Sequence, residues 1–299
     1  MKWYEFAGRR SLLVLVFSAF SCSTTQLCQA QASDGWPTYG GDPGGQKYSA
    51  AEQITPANVD KLHAVWSYQT HALDGNPEGA KKASFEATPV LLDGTLLLST
   101  PFDQVIALEA TSGKQVWRYD PDLTHGLDAA IYTSRGVAVW SGGSSANPCA
   151  RRVLLGTLDA RLIALDAANG KPCMDFGNAG IVDLRRGIAT QQEQPFHGYG
   201  VTSPPAVVGN TVVVGSSISD NVAVEMEPGL VRGYDVRTGQ LRWSWDPLSK
   251  QPAGRQRTGA GNTWGAMAVD PEHGIVYLPT GSASPDFYGG ERLEGVMDL

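Results

Sequence analysis

Short apolar runs separated by tight-turn dipeptides recur along the chain, and one stretch displays the pattern in full. Residues 229–247, GLVRGYDVRTGQLRWSWDP, read as an apolar strand, a turn at Thr238-Gly239 and a second strand carrying Trp243. Gly239 suits a turn that needs positive φ, a conformation costing a residue with a Cβ about 1–2 kcal/mol. The same order returns at residues 105–121, VIALEATSGKQVWRYDP, and at residues 162–177, LIALDAANGKPCMDFG. Gly113 and Gly239 are each followed four residues on by a tryptophan, Trp117 and Trp243, while Met174 takes that place after Gly170. The three glycines lie 57 and 69 residues apart, so the unit is long and its insertions vary.

Each unit is preceded by another apolar pair with turn chemistry. These are residues 90–100 around Asp93-Gly94, 206–216 around Gly209-Asn210, and 266–280 around His273-Gly274. Four short strands per unit predict an all-β fold, a β-propeller of four-stranded blades with about four blades in this chain. The runs at 211–214 and 275–278 are apolar without alternation, which suits sheets covered on both faces by neighbouring blades. A first strand is expected at residues 62–68, after a short turn near 56–62. Residues 75–82 and 250–261, polar and bearing glycine or charge, are expected as exposed loops. Trp117 and Trp243 belong to the repeated unit and are expected in the core.

Composition adds that 42% of residues are hydrophobic and 18% charged, with 35 glycines to serve a turn-rich globular chain. The first 32 residues stand apart. Lys2, Arg9 and Arg10 precede an apolar run at 11–20 and an Ala30-Gln31-Ala32 cleavage site, the order of a secretory signal peptide, with a retained anchor as the alternative. The expected mature domain is therefore residues 33–299, periplasmic or otherwise exported, without a transmembrane span. Removing the leader takes three basic residues and one acidic one, moving the formal charge from −7 to −9. An acidic chain without a basic stripe argues against nucleic acid as a partner. Cys149 and Cys173 then remain, an even pair in an oxidising compartment, read as a disulfide with two buried thiols as the alternative.

The motifs WPTYGGDPGGQKYS, ITPANV, FEATPVLLDGTLLLSTP, RGVAVW, TSPPAVV, LVRGYDVRTGQLRWSWDP, NTWGAMAVD and YLPTGSASPDFYGG follow one another in this order. Together they resemble the dehydrogenases that depend on pyrroloquinoline quinone (PQQ), and most closely the glucose and polyol branch. The resemblance runs from about Trp36 to Arg292. It implies an eight-bladed propeller with PQQ on the central axis beside a divalent cation, usually calcium, with magnesium as the other choice. A sugar or polyol would lose a proton to a carboxylate and a hydride to the quinone, with a quinone or cytochrome as electron acceptor.

On the positions that match, the resemblance assigns Glu86, Arg135, Thr202 and Trp264 to the cofactor. A forked guanidinium suits the three carboxylates of PQQ, and an indole gives the flat tricycle a surface to stack on. The hard oxygen ligands that such a metal needs fall at Asp220 and Asn221, with Ser284 or Ser282 as the third. The structural alternatives are a strand-end arginine, satisfied blade edges at Glu86 and Thr202, and an Asp-Asn turn cap at Asp220. The chain lacks the adjacent cysteines that alcohol-oxidising branches carry before the RG motif. It also has Ile131 where the glucose branch usually has histidine. The family's chains continue well past the position of Leu299, and the carboxylate base is expected in that further part. A non-catalytic propeller scaffold, like the lipoprotein of outer-membrane assembly, is the competing class.

Overall fold

The apolar runs form antiparallel strands joined at the turn glycines, in a computed structural model that describes residues 35–292 except 75, 124–126, 128–130, 143–146, 189–197 and 250–257. These residues all belong to the unit Ser33–Leu299, and the expected leader lies outside them. After β1 (Ala83–Ser84), the strands β2 (Val90–Leu92), β3 (Thr95–Ser99), β4 (Val105–Glu109) and β5 (Gln115–Tyr119) make a first four-stranded sheet. After β6 (Tyr132–Thr133), a second contains β7 (Ala138–Ser141), β8 (Arg151–Gly156), β9 (Arg161–Asp166) and β10 (Ile181–Asp183). The third contains β11 (Ala206–Val208), β12 (Thr211–Val214), β13 (Val231–Asp235) and β14 (Leu241–Trp245). β15 (Ala268–Asp270) and β16 (Ile275–Tyr277) form a two-stranded sheet. Each four-stranded sheet is a meander in which sequence neighbours pair antiparallel, the blade the repeat predicts. Among the described residues no helix is long and apolar enough to cross a membrane.

Most of the unalternating runs are explained by where their side chains go; the run at 275–278 is a correction, since Ile275 and Tyr277 are exposed and that strand is not covered on both faces. In the second sheet Val153, Leu155, Ile163 and Leu165 pack towards the first sheet, against Val90, Leu97, Val105 and Trp117. The intervening Leu154, Leu162 and Ala164 pack the other way, with Val212, Val214 and Tyr234 of the third sheet. A smaller cluster joins Ala206, Val213 and Val231 to Val269 of the two-stranded sheet. A strand covered on both faces has no solvent side to mark with polar residues.

The turn glycines set how closely one unit approaches the next. Gly113, Gly170 and Gly239 all have φ +70°, the left-handed region. A Cβ on Gly113 would lie 2.4 Å from the Trp66 ring, and one on Gly170 would lie 2.5 Å from the Trp117 ring. The indoles bond the same turns: Trp66 Nε1 donates to Ala110 O at 3.1 Å, and Trp117 Nε1 donates to Ala167 O at 3.0 Å. At Gly239 the backbone takes the indole's place, with Gly177 N donating to Thr238 O at 2.9 Å.

Several expectations are corrected. Residues 62–68 form no ladder; Trp66 and Tyr68 anchor them to the first sheet by side chains, and no described strand pairs with their backbone. Within the expected loop 75–82, Pro77–Lys81 is a short helix, because Asn76 accepts Gly79 N at 2.9 Å and proline suits the first helical position. In the other expected loop, residues 258–261 are buried, and 250–257 lie outside the described residues. In the middle repeat Met174 is exposed and starts no strand. The pairing there is limited to a Leu165–Pro172 bridge and the bond from Cys173 N to Ala164 O at 2.8 Å, and β10 joins at Ile181 opposite Ile163. Trp243 is not core, since the whole of β14 is exposed.

Candidate functional site

The residues expected at the cofactor come together through the repeat itself. β1 and β6 pair in parallel, Ala83 opposite Tyr132 and Ser84 opposite Thr133. Glu86 and Arg135 each follow their strand by two residues, and they meet as an ion pair at 2.8 Å. Backbone bonds continue the series: Thr88 N to Arg135 O at 3.1 Å, then Arg135 N to Thr202 O at 2.9 Å. Gly200 and Ser217 exchange bonds at 2.9 and 2.7 Å, and Ser216 N donates to Thr263 O at 3.0 Å. Equivalent edges of successive units are thereby laced side by side, each contributing a site residue.

Trp264 lies at the end of that series. Its neighbours Asn262 and Thr263 are buried, yet Trp264 is 47% exposed, so part of an aromatic side chain reaches solvent beside the polar cluster. The Arg135 guanidinium stands over this ring, 5.2 Å from its centroid, within cation–π range. The Thr202 hydroxyl donates to Trp264 O at 3.4 Å. Glu86, Arg135, Thr202 and Trp264 thus form one connected cluster containing a cation, a hydroxyl and a flat apolar surface, a donor set that fits a planar polycarboxylate.

A second cluster gathers on residues 220–221 and 282–287. Asp286 N donates to Asp220 O at 3.0 Å, and Phe287 N donates to Asn221 Oδ1 at 2.8 Å. Burial raises the Asp220 carboxyl, and the nearby Asp286 carboxylate raises it further. The Ser284 hydroxyl is fully buried without a hydrogen-bond partner, as is the Asn262 Oδ1 atom. Two carboxylates near one another fit a hard divalent cation, and the unpartnered Ser284 hydroxyl belongs to the same loop as Asp286. Asn221 already spends its oxygen on Phe287 N, so Asp220 and Ser284 are the freer candidates. Asp286 closes the loop 281–286 in which a further oxygen ligand is expected, though Ser282 and Ser284 are the residues assigned there, and Asn262, inside the NTWG motif, is not assigned. Among the described residues no third His, Cys or carboxylate joins Asp220 and Asp286. The one such group of three is Cys149, Cys173 and Asp175, whose cysteines are joined in a disulfide with Cα atoms 5.8 Å apart.

Residues 36–297 match the family model described as "PQQ: Glucose/ethanol/alcohol dehydrogenase, beta-propeller domain". The chain belongs to the PQQ-dependent dehydrogenase family. It is 37% identical to the quinate/shikimate dehydrogenase (quinone) of Acinetobacter baylyi, over 86% of this chain and 34% of the relative. It is 35% identical to the quinoprotein glucose dehydrogenase of Escherichia coli, over 87% and 34%. With the glycerol dehydrogenase large subunit of Gluconobacter oxydans the identity is 34%, over 89% and 36%. Among solved structures, the quinohemoprotein alcohol dehydrogenase of Comamonas testosteroni aligns with a TM-score of 0.66 at 28% identity. That alignment covers 86% of this chain and 37% of the other. The chain spans about a third of the length of the curated relatives it matches.

Proposed function

We propose that this chain is the N-terminal part of an exported PQQ-dependent dehydrogenase that oxidises a sugar or polyol of the glucose type. The observation that carries the reading is the connected cluster of Arg135, Glu86, Thr202 and the part-exposed Trp264. When bound, PQQ would accept a hydride, and a calcium or magnesium ion would polarise its quinone carbonyl. Arg135 would hold ligand carboxylates through its planar fork, sharing its charge with Glu86. Trp264 would support a flat ring system and exclude water from one side of it. Asp220 and Ser284 would hold the cation, whose charge removes the penalty of burying Asp220 near Asp286. Relatives named for glucose, glycerol and quinate or shikimate support a hydroxylated substrate. Electrons would leave to a quinone or a cytochrome.

The carboxylate that takes the substrate proton is expected in the part of the relatives that this chain does not match. Loss of general-base catalysis lowers rates by about 10²–10⁴. The 299-residue chain, given PQQ and calcium, is therefore expected to reduce an artificial dye negligibly. Joined to a part completing the relatives' length, it should oxidise an aldose or polyol. Dye reduction by the 299-residue chain alone at rates typical of enzymes would contradict a base supplied from outside it.

A further inference from the structure

The turn between β3 and β4 buries a carboxylic acid that the cofactor and cation chemistry does not use. Asp103 is fully buried and sits at φ +60°, in the left-handed region. On one side its Oδ2 accepts Leu158 N at 2.7 Å, in the turn between β8 and β9. That turn holds the segment that carries Thr202: Val201 N donates to Thr157 O at 2.9 Å, and a Cβ on Gly200 would lie 2.2 Å from Leu158 O. On the other side the Ser134 hydroxyl lies beside the carboxyl, and Ser134 is next in sequence to Arg135. Ser134 Oγ is 2.8 Å from Ser99 Oγ at the end of β3, and both serines are buried. Arg135 N donates to Thr202 O at 2.9 Å, so the two segments that meet at Asp103 also bond each other. The Oδ1 atom of Asp103 is left without a partner.

We infer that Asp103 is a positioning residue for the cofactor cluster: Oδ1 donates a hydrogen bond to Ser134 Oγ while Oδ2 holds Leu158 N, so one buried side chain sets the spacing of the segments carrying Arg135 and Thr202. The inference rests on the cofactor reading for its ligand and on the fold for its geometry. A carboxylate without solvent and with one oxygen unpartnered is far more costly than a neutral acid, whose hydroxyl turns the orphaned oxygen into a donor for the Ser134 lone pair. The charges around it agree. Burial pushes the Asp103 carboxyl well above its usual range and the Asp159 carboxylate pushes it further, against the Leu158 and Ser134 bonds and the Arg161 charge. Arg161 is already paired with Asp159 at 2.6 Å. A neutral Asp103 leaves the Arg135 charge to ligand carboxylates, whereas an ionised one would add negative charge beside a site for a polycarboxylate.

Two measurements on the full 299-residue chain need no cofactor. Carboxyl-carbon NMR, with the Asp103 signal assigned by its loss in Asp103→Asn, should find this acid protonated at neutral pH. NMR of the Arg135 guanidinium nitrogens should be unchanged by Asp103→Asn, whose amide donates to Ser134 and accepts from Leu158 N, and shifted or broadened by Ser134→Ala. In the protein completed to the relatives' length, Ser134→Ala should weaken PQQ binding about tenfold while keeping the parent's circular dichroism. Over the pH range in which the carboxyl signal titrates, the parent's PQQ affinity should fall as pH rises, and that of Asp103→Asn should not follow it. A merely structural acid would not give that split. An ionised Asp103 at neutral pH, an Arg135 signal indifferent to Ser134→Ala, or coincident pH profiles for parent and Asp103→Asn would overturn the inference. The carboxyl signal and the Asp103→Asn profile decide the matter even if Ser134→Ala does not fold. If the Arg135 signal responds as expected and the completed parent binds no PQQ, the positioning stands and the cofactor reading falls.

Discussion

Arg135 and Glu86 are held as an ion pair at 2.8 Å because each follows, by two residues, a strand of the same parallel pair. Their alignment is a backbone property, and the side chains meet before any ligand arrives. Glu86 leaves the guanidinium fork partly committed, so a carboxylate ligand adds to an existing pair. Arg135→Ala is expected to weaken PQQ binding by about 10- to 100-fold, the range for charge-assisted hydrogen bonds. Sugar affinity should fall less. Arg135→Lys should recover part of the loss, since it restores charge but not the fork. Equilibrium titration of the completed protein checks this, and equal losses for both ligands would remove Arg135 from the cofactor site.

Asp103 gives a pH prediction. It is fully buried at φ +60°, and Leu158 N donates to one carboxylate oxygen at 2.7 Å while the other has no partner. Burial pushes its carboxyl well above the usual range, and the Leu158 bond only partly opposes this. An acid with a raised folded pKa holds its proton longer when folded, so stability falls as pH rises above the unfolded value of about 4. The substitution Asp103→Asn removes the titration, keeps an acceptor for Leu158 and tolerates positive φ. The variant should gain stability over the parent from about pH 4 upward and lose that advantage below it. Urea unfolding across the range is the measurement, and parallel curves would count against a buried acid.

Gly170→Ala and Gly94→Ala separate conformational strain from collision. Both glycines have positive φ, +70° and +75°, but a Cβ on Gly94 meets nothing within 4 Å. Gly94→Ala should cost about 1–2 kcal/mol, the conformational term alone. Gly170→Ala should cost more, because Trp117 must leave its place over the turn. Equal losses in denaturant unfolding would contradict the docked indole.

The Cys149–Cys173 bridge closes a sequence separation of 24. Its reduction should remove about 3 kcal/mol of stability. Mass measurement of the purified protein without reductant should give two hydrogens fewer than the reduced chain. Ready alkylation of both thiols without reductant would contradict the bridge.

Much of the architecture was legible because strand and turn chemistry are local. Thr211–Val214 is a strand at the bounds its apolar run predicts, and Gly113, Gly170 and Gly239 sit in the left-handed turns expected of them. The elements that escaped depend on a neighbour. Residues 62–68 have strand character, but a strand also needs a partner for its backbone, and Trp66 and Tyr68 supply only side-chain anchors. Trp243 repeats the local pattern of Trp117 yet is exposed, because burial is set by what packs against a sheet and not by the hairpin's own residues. The same division holds at the site. Arg135 and Trp264 were visible as motif residues, whereas the closeness of Asp286 to Asp220 arises from two loops separated by sixty-odd residues.

PQQ binding by the Arg135–Trp264 cluster is open to a direct test. Fluorescence titration of PQQ, with calcium present, into the protein completed to the relatives' length tests it most directly. Saturable one-to-one quenching is expected, lost in Trp264→Ala and weakened by Arg135→Ala in a variant that still folds. Absence of saturable quenching, or titrations unchanged by both substitutions, would contradict it.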